Sequence, residues 1–295
     1  MEKIVFCSMA TCDESLAEVR TLLASLRAFG GEMAQSPFWI MVPESDPGLR
    51  ALALDDPCVR VVPFSWEPGE ASFPFTRKLA AGAAAEALLA GAAGLVAWMA
   101  PETLILQDPQ AFLLDAGKAV AGRPVDVMLI GPKWDEPLDA FWSGIFGSDA
   151  IPAERFVRLE SSVGRVPLRN HFNSGLLVVR PDRGLLRAWW ADFLRLFRQP
   201  VFTQYYLQGE NYELLMHQAV LAGTILRWTR PEEVAVLPDL VSYPLHLHAD
   251  YPAEMRPHWL DEVTTARYYL EYDPGCLRRP PAREPLKSWL EEHLP

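Results

Sequence analysis

The sequence predicts an α/β protein built on a mixed, mostly parallel central sheet flanked by helices, and three observations lead there. Short, almost wholly apolar runs alternate with segments of helical period from the N-terminus onward. The runs are apolar at consecutive positions, as in strands covered on both faces. The 295 residues, half of them hydrophobic, suffice to bury a large core.

Lys3 to Ser8 reads as the first strand, apolar after its lysine. Thr11-Cys12-Asp13-Glu14 then has the spacing of a capping box, and Leu16, Val19, Leu23 and Leu26 recur at helical intervals up to a stop at Gly30-Gly31. Phe38 to Val42 is a second strand ending at Pro43, and Val59 to Phe64 a third, with a short helix between Pro47 and Leu54. Thr76 to Ala90 is rich in alanine, which favours a helix able to lie close to a sheet.

That helix delivers the chain to Leu95–Met99, a buried strand bounded by Gly94 and Pro101. Proline cannot donate to a ladder and biases the residue before it towards an extended conformation, so an elbow is expected at Ala100 to Glu102, before a further apolar run from Thr103. Glu102 is thereby expected at the carboxyl end of a buried strand, where ligands of open α/β sheets collect.

A short helical piece is expected around Ala111 to Ala116, and Val125 to Ile130 reads as a strand ending in Gly131-Pro132. Residues 134–168 have no clean period and are expected to be rich in loops. Phe172-Asn173-Ser174-Gly175 reads as a polar turn leading into the strand Leu176 to Val179. Asp182 is placed to cap a helix with Leu186, Trp189, Trp190, Phe193 and Phe197 on one face. A helix from Tyr212 to Ala222, stopped by Gly223, and short strands at Ile225 to Trp228 and Val234 to Leu237 follow. The expected organisation is a single domain over 1–277, made of a first half (about 1–131), an insertion (about 132–169) and a second half (about 170–277). Residues 278–295 form a proline-rich linker and a short amphipathic end.

Composition excludes some functions. A net charge of -11 argues against nucleic-acid binding, which needs clustered Lys and Arg. Leu79 to Met99 carries one charge, Glu86, but its Ala and Gly content and its division by Gly91 and Gly94 argue against an integral membrane segment. Four cysteines, Cys7, Cys12, Cys58 and Cys276, show no CxxC pair; with no signal peptide visible, reduced thiols and a cytoplasmic setting are expected.

Several residues invite a chemical reading beside a plainer one. Arg77 and Lys78 open a helix, where the macrodipole disfavours cations; a bound anion would relieve the mismatch, and a solvated basic pair would look the same. His246-Leu247-His248, if extended, would put two imidazoles on one side and with Glu102 compose a two-His, one-carboxylate cation site; hydrogen-bonded cleft residues are the alternative. Asn173, Ser174 and Gly175 suit a sugar-hydroxyl site or a simple turn.

Three segments together resemble the GT-A fold of nucleotide-diphospho-sugar transferases, most closely the retaining, family 8-like branch that includes glycogenin and bacterial galactosyltransferases. They are the Ser8-Met9-Ala10-Thr11 loop, the helix from Thr76 running through Leu95 to Asp108, and Phe172-Asn173-Ser174-Gly175 with its following strand. The resemblance implies a nucleotide sugar as donor and a separate, unidentified acceptor. It implies nucleotide contacts at Ser8, Met9, Ala10, Thr11, Ala100 and Glu102, to which the helix-terminus reading adds a diphosphate contact at Arg77 and Lys78, so that about 1–131 becomes the nucleotide-binding half and about 170–277 the sugar and acceptor half. Donor-sugar contacts are implied at Asn173, Ser174, Gly175, His217 and Gln218, with Gln218 and Asn173 positioning the sugar, and a Mn²⁺ or Mg²⁺ ion held by an Asp-x-Asp motif. The chain departs from the pattern in three places. Asp-x-Asp reads Ala100-Pro101-Glu102, the Asp-Gln pair reads His217-Gln218, and a late metal-binding His is missing from Arg267 to Asp273. A single carboxylate can still help to hold Mg²⁺. A hexosyltransferase, an inactive relative that binds a nucleotide or sugar, and a metal-independent transferase using Arg77 or Lys78 for the charge remain open.

Overall fold

A computed structural model describes residues 3–52, 55–66, 73–148 and 150–294. The N-terminal part contains β1 (Ile4–Met9), α1 (Asp13–Phe29), β2 (Phe38–Pro43), α2 (Pro47–Arg50), β3 (Val59–Phe64), α3 (Thr76–Leu89), β4 (Leu95–Met99) and β5 (Thr103–Ile105). Then come β6 (Val120–Pro124), α4 (Ala140–Phe146), the β7 (Arg158–Glu160) and β8 (Pro167–Arg169) hairpin, and β9 (Phe172–Val179). The C-terminal part holds α5 (Leu185–Leu196), α6 (Pro200–Tyr206), α7 (Glu210–Trp228), β10 (Val234–Val236), β11 (Tyr243–Pro244), β12 (Thr265–Arg267) and α8 (Leu286–His293).

The main sheet has seven strands in the order β10-β6-β9-β4-β1-β2-β3. β1 pairs in parallel with β2 and β4, β2 with β3, and β10 with β6, whereas β9 runs antiparallel to both its neighbours. Period-two alternation divides the core in two. Val5 and Cys7 of β1 and Val96 and Trp98 of β4 face the α3, α5 and α7 side, while Ile4, Phe6, Leu95, Ala97 and Met99 face α1. A second sheet, β11-β12-β5, carries a third core closed by α8, whose Leu286 is buried and whose Trp289 meets the Phe29 ring edge-on at 5.4 Å.

Alanine in α3 does what its size suggests: the helix lies so close to β4 that a Cβ on Gly82 would sit 3.3 Å from the Trp98 indole. The Leu79 to Met99 stretch is thus helix α3 followed by strand β4, and among the described residues no helix is long and apolar enough to cross a membrane. All four cysteines are free thiols.

Several local expectations are corrected. The strand expected at Val125 to Ile130 lies earlier, at Val120–Pro124, because its unpromising residues are satisfied by tertiary partners. Gly122 makes room for Phe172 and Leu177, and buried Arg123 bonds Asp239, Ser162 and the Leu237 carbonyl. Gly223 does not stop α7 and no strand forms at Ile225 to Trp228, since the helix runs on to Trp228. A Cβ at Gly223 would lie 2.6 Å from the Ile145 carbonyl, so this glycine serves the close approach of α4. Asp182 does not cap α5; it accepts from the Gly91 N–H at 2.6 Å, and Glu86 of α3 accepts the Leu186 and Arg187 N–H groups instead. At the start of α1 the acceptor is Ser15, which takes the Thr11 and Cys12 N–H groups at 2.9 and 3.1 Å, one position later than the capping-box spacing suggests. Asn173 to Gly175 is strand, not turn, and His246 to His248 lies in a 3₁₀ helix spanning Leu245–Asp250 rather than an extended segment.

Candidate functional site

The sheet changes direction of growth at β1: β2 and β3 add on one side and β4 on the other. The carboxyl ends of β1 and β4 therefore diverge into a crevice, and β9, running the other way, begins at the same edge. The Ala100 N–H donates to the Gly175 carbonyl at 2.7 Å, and the buried Ser8 hydroxyl donates to the Met99 carbonyl at 2.9 Å. Three segments distant in sequence are thereby locked around a cavity of about 1170 Å³.

Met9, Thr11, Arg77, Lys78, Ala100, Glu102, Asn173, Ser174, Gly175, His217, Gln218 and His246 all line it. Ser8 and Ala10 do not; both are buried beneath it, Ser8 tying β1 to β4 and Ala10 donating its N–H to the Met41 carbonyl. His248 does not line it either, because its Nδ1 is engaged by the Tyr243 hydroxyl at 2.9 Å.

At one end, α3, β9 and α7 bring Lys78, Ser174 and His217 into a single chain of hydrogen bonds. The Leu214 carbonyl, 2.9 Å from His217 Nδ1, can only accept, so Nδ1 carries the proton. Nε2 then accepts from the Ser174 hydroxyl at 2.9 Å, and the Ser174 oxygen accepts from Lys78 Nζ at 3.1 Å. Burial, with Lys78 adding to it, holds His217 well below the usual histidine range, in keeping with a neutral ring. The ring packs against Phe75 with centroids 4.2 Å apart and the two planes tilted by 31°. Burial lowers the Lys78 ammonium to about 8, a shift opposed by Glu102 and supported by Arg267. Arg77 turns aside to lie 5.2 Å from the Trp66 ring.

Gln218 Oε1 accepts the Ser174 N–H at 3.2 Å, leaving its NH₂ end for the cavity. Asn173 is committed on both sides: Oδ1 accepts the Gly175 N–H at 2.7 Å and Nδ2 donates to Asp126 at 3.2 Å. It positions the start of β9.

The opposite wall comes from the second sheet. Arg267, buried on β12 opposite Thr103, donates to Asp126, to the Ser242 hydroxyl at 2.8 Å and to the Ser242 carbonyl at 3.1 Å. Burial disfavours its charge, yet Asp126 and Tyr269 more than offset that and raise it above the ordinary arginine value. Its side chain passes over Gly175, where a Cβ would stand 3.1 Å from Arg267 Cδ. His246, Tyr269 and Tyr272 form an aromatic cluster beside it. Arg267, Asp126 and Tyr269 escape a sequence reading that searches 267–273 for histidine; the signal available there was an arginine followed by two tyrosines, Arg267-Tyr268-Tyr269.

The donor set fits a divalent metal poorly. Burial pushes Glu102 above its ordinary carboxylate value, with Lys78 opposing the shift, and Asp126 is taken by Arg267 and Asn173. Among the described residues no group of three or more His, Cys, Asp or Glu side chains is arranged to hold an ion.

No protein-family model matches the chain, and no curated protein matches it by sequence. Solved structures do. The galactosyltransferase LgtC in complex with donor and acceptor sugar analogues superposes with a TM-score of 0.50 at 12% identity, over 98% of this chain and 100% of that one. The glycosyltransferase GlyE of Streptococcus pneumoniae TIGR4 gives a TM-score of 0.52 at 10% identity, over 99% of this chain and 60% of that one. At such identities the likeness is one of fold: the chain has the mixed α/β, mostly parallel architecture of GT-A-like glycosyltransferases.

Proposed function

We propose that the chain binds a nucleotide-diphospho-sugar in this cavity and transfers its hexose, with retention, to an acceptor hydroxyl. The observation that carries the reading is the convergence of the Met9–Thr11 loop, the Ala100–Glu102 elbow and the Asn173–Gly175 strand start at the switch point of the sheet. Nucleotide and diphosphate would lie along the β1 and β4 ends, and the sugar against Ser174, His217 and Gln218. There the Gln218 NH₂ would hold a hydroxyl and Asn173 would hold the strand that shapes the pocket. His217 has both nitrogens engaged, so it acts by fixing Ser174 and not as a base. The proton of the acceptor hydroxyl would then leave with the departing diphosphate.

A second reading, a nucleotide-sugar binding module without transferase activity, is favoured by that engagement of His217 at the place where the family resemblance implies an acid. A thermal-shift panel of UDP-, GDP-, ADP- and dTDP-hexoses, followed by product analysis, separates the two. Ligand at about 100 times Kd adds about 2.7 kcal/mol, a shift of roughly 5 °C for a chain of this size. A shift with sugar release or transfer supports the enzyme, a shift without either supports the module, and no shift with any donor sinks both.

A further inference from the structure

We infer that the donor's diphosphate is held by cations of this chain, Lys78 foremost and Arg267 behind it, and that this binding needs no divalent metal. The inference deepens the nucleotide-sugar reading and takes the identity of the ligand from it.

Lys78 is a cation prepared for an anion that the protein does not itself supply. Of its three N–H donors Ser174 takes one, and among the described residues no carboxylate lies within ion-pairing distance of it. Glu102 acts on it only at longer range, and the neighbouring His217 ring is neutral. Its position is fixed by the Leu214–His217–Ser174 chain, in which each hydrogen bond sets the direction of the next. Arg267 is fixed as firmly, by Ser242 and Asp126, and its stem crosses the face of Gly175 next to Ser174.

The carboxylates make the opposite case for a dication. Glu102 is the one carboxylate of the elbow, and burial works against its ionisation. Asp126 is spent on Arg267. Charges held in fixed geometry at a half-dry site interact strongly with charge developing on a leaving group and need no reorganisation as it develops, so fixed cations can carry out the electrostatic work assigned elsewhere to a metal.

The probe is inorganic pyrophosphate, which lacks base and sugar, titrated calorimetrically into the full chain with EDTA and then with Mn²⁺. Binding is expected in EDTA, with Mn²⁺ changing Kd by less than about threefold. Lys78→Met is expected to weaken binding by about tenfold or more, as the loss of one charge-assisted contact should, and Lys78→Arg to stay within a few fold. Because the empty protein bears the burial of this ammonium, Lys78→Met should also raise the ligand-free melting temperature by about 2–5 °C at pH 7, which a lysine with a merely structural role would not do. Ser174→Ala, which leaves the charge and removes its tether, serves as the second variant and should weaken binding by about three- to tenfold.

Binding only in the presence of Mn²⁺, or undiminished binding by Lys78→Met, overturns the inference while leaving the nucleotide-sugar reading intact. So does a nucleotide sugar that binds while pyrophosphate does not. Metal-free pyrophosphate binding lost in Lys78→Met, in a protein that ignores every nucleotide sugar, upholds the cation site and removes the donor reading.

Discussion

The two walls of the cavity are built in different ways. The near wall is backbone: the ends of β1 and β4 and the start of β9, stitched by main-chain and serine hydrogen bonds. The far wall is side chain: Arg267, Asp126 and the His246, Tyr269 and Tyr272 rings, drawn from the second sheet and the segments around it. The near wall is dictated by strand order alone and can persist through large sequence change. The far wall depends on pairwise contacts, any of which one substitution can remove, and it is there that the chain departs from the late metal-binding histidine its resemblance implies.

The largest effect should come from breaking the far wall at its ion pair. Asp126→Ala leaves the buried Arg267 guanidinium unpaired and frees Asn173, which should cost ~3–5 kcal/mol and lower the melting temperature by roughly 5–9 °C. A calorimetric scan showing no loss would mean that the two walls are not coupled through this pair.

Gly175 is where the walls touch. Gly175→Ala puts a methyl group 3.0 Å from Asn173 Oδ1 and 3.1 Å from Arg267 Cδ, so one of them must move. Overpacking of this kind costs about 1–3 kcal/mol, and pyrophosphate or donor affinity should fall as Arg267 shifts. Unchanged affinity in a folded Gly175→Ala variant would show that Arg267 is too far from the ligand to matter.

A pH series reports separately on the cavity cation and on the core behind the near wall. Lys78, faced by Glu102, Arg267 and His217, sits at about 8 in the empty protein, so anion affinity should be level near neutrality and fall by up to about tenfold per pH unit above that value. An affinity that rises with pH would point to a different group. Behind the near wall, His171 is fully buried with both ring nitrogens unpartnered, and burial lowers it to about 3. Above the ordinary histidine value the folded and unfolded chains are both neutral there, and no stability depends on it. Below that value the unfolded chain takes up a proton that the folded one refuses, so stability is lost as pH falls, by up to about 1.4 kcal/mol per unit. His217 acts in the same direction. His171→Leu should therefore flatten the acid limb of a urea-denaturation series by about half, an effect absent at pH 7 and thus the smallest of these under neutral conditions.

The same contrast explains how much was legible beforehand. β1, β2, β3 and β4, the elbow and the cavity-lining role of Lys78, Ser174 and Gln218 follow from apolar runs, proline and glycine placement and the family resemblance, all of which act locally along the chain. What was missed has a partner far away. The Val120–Pro124 strand is permitted by Phe172 and Leu177, α7 runs through Gly223 because Ile145 needs the space, and Arg267 finds Asp126 across 141 positions. His246 and His248 diverge because Pro244 leads into a 3₁₀ turn and not a strand, a choice that the two-residue spacing cannot reveal.

Glu86, the single charge in the Leu79 to Met99 stretch, takes on a further meaning in this light. From the flank of α3 it accepts the Leu186 and Arg187 N–H groups at the head of α5. The same rigid helix carries Lys78 eight residues earlier, about 12 Å along its axis. Glu86 is thus a remote calibration point for the ammonium: it ties to α5 the rod whose other end lines the cavity. Random mutagenesis scored on pyrophosphate binding should recover changes at 86 and 186–187 beside those in the cavity, and an engineer who wishes to move Lys78 by a fraction of an ångström should begin there.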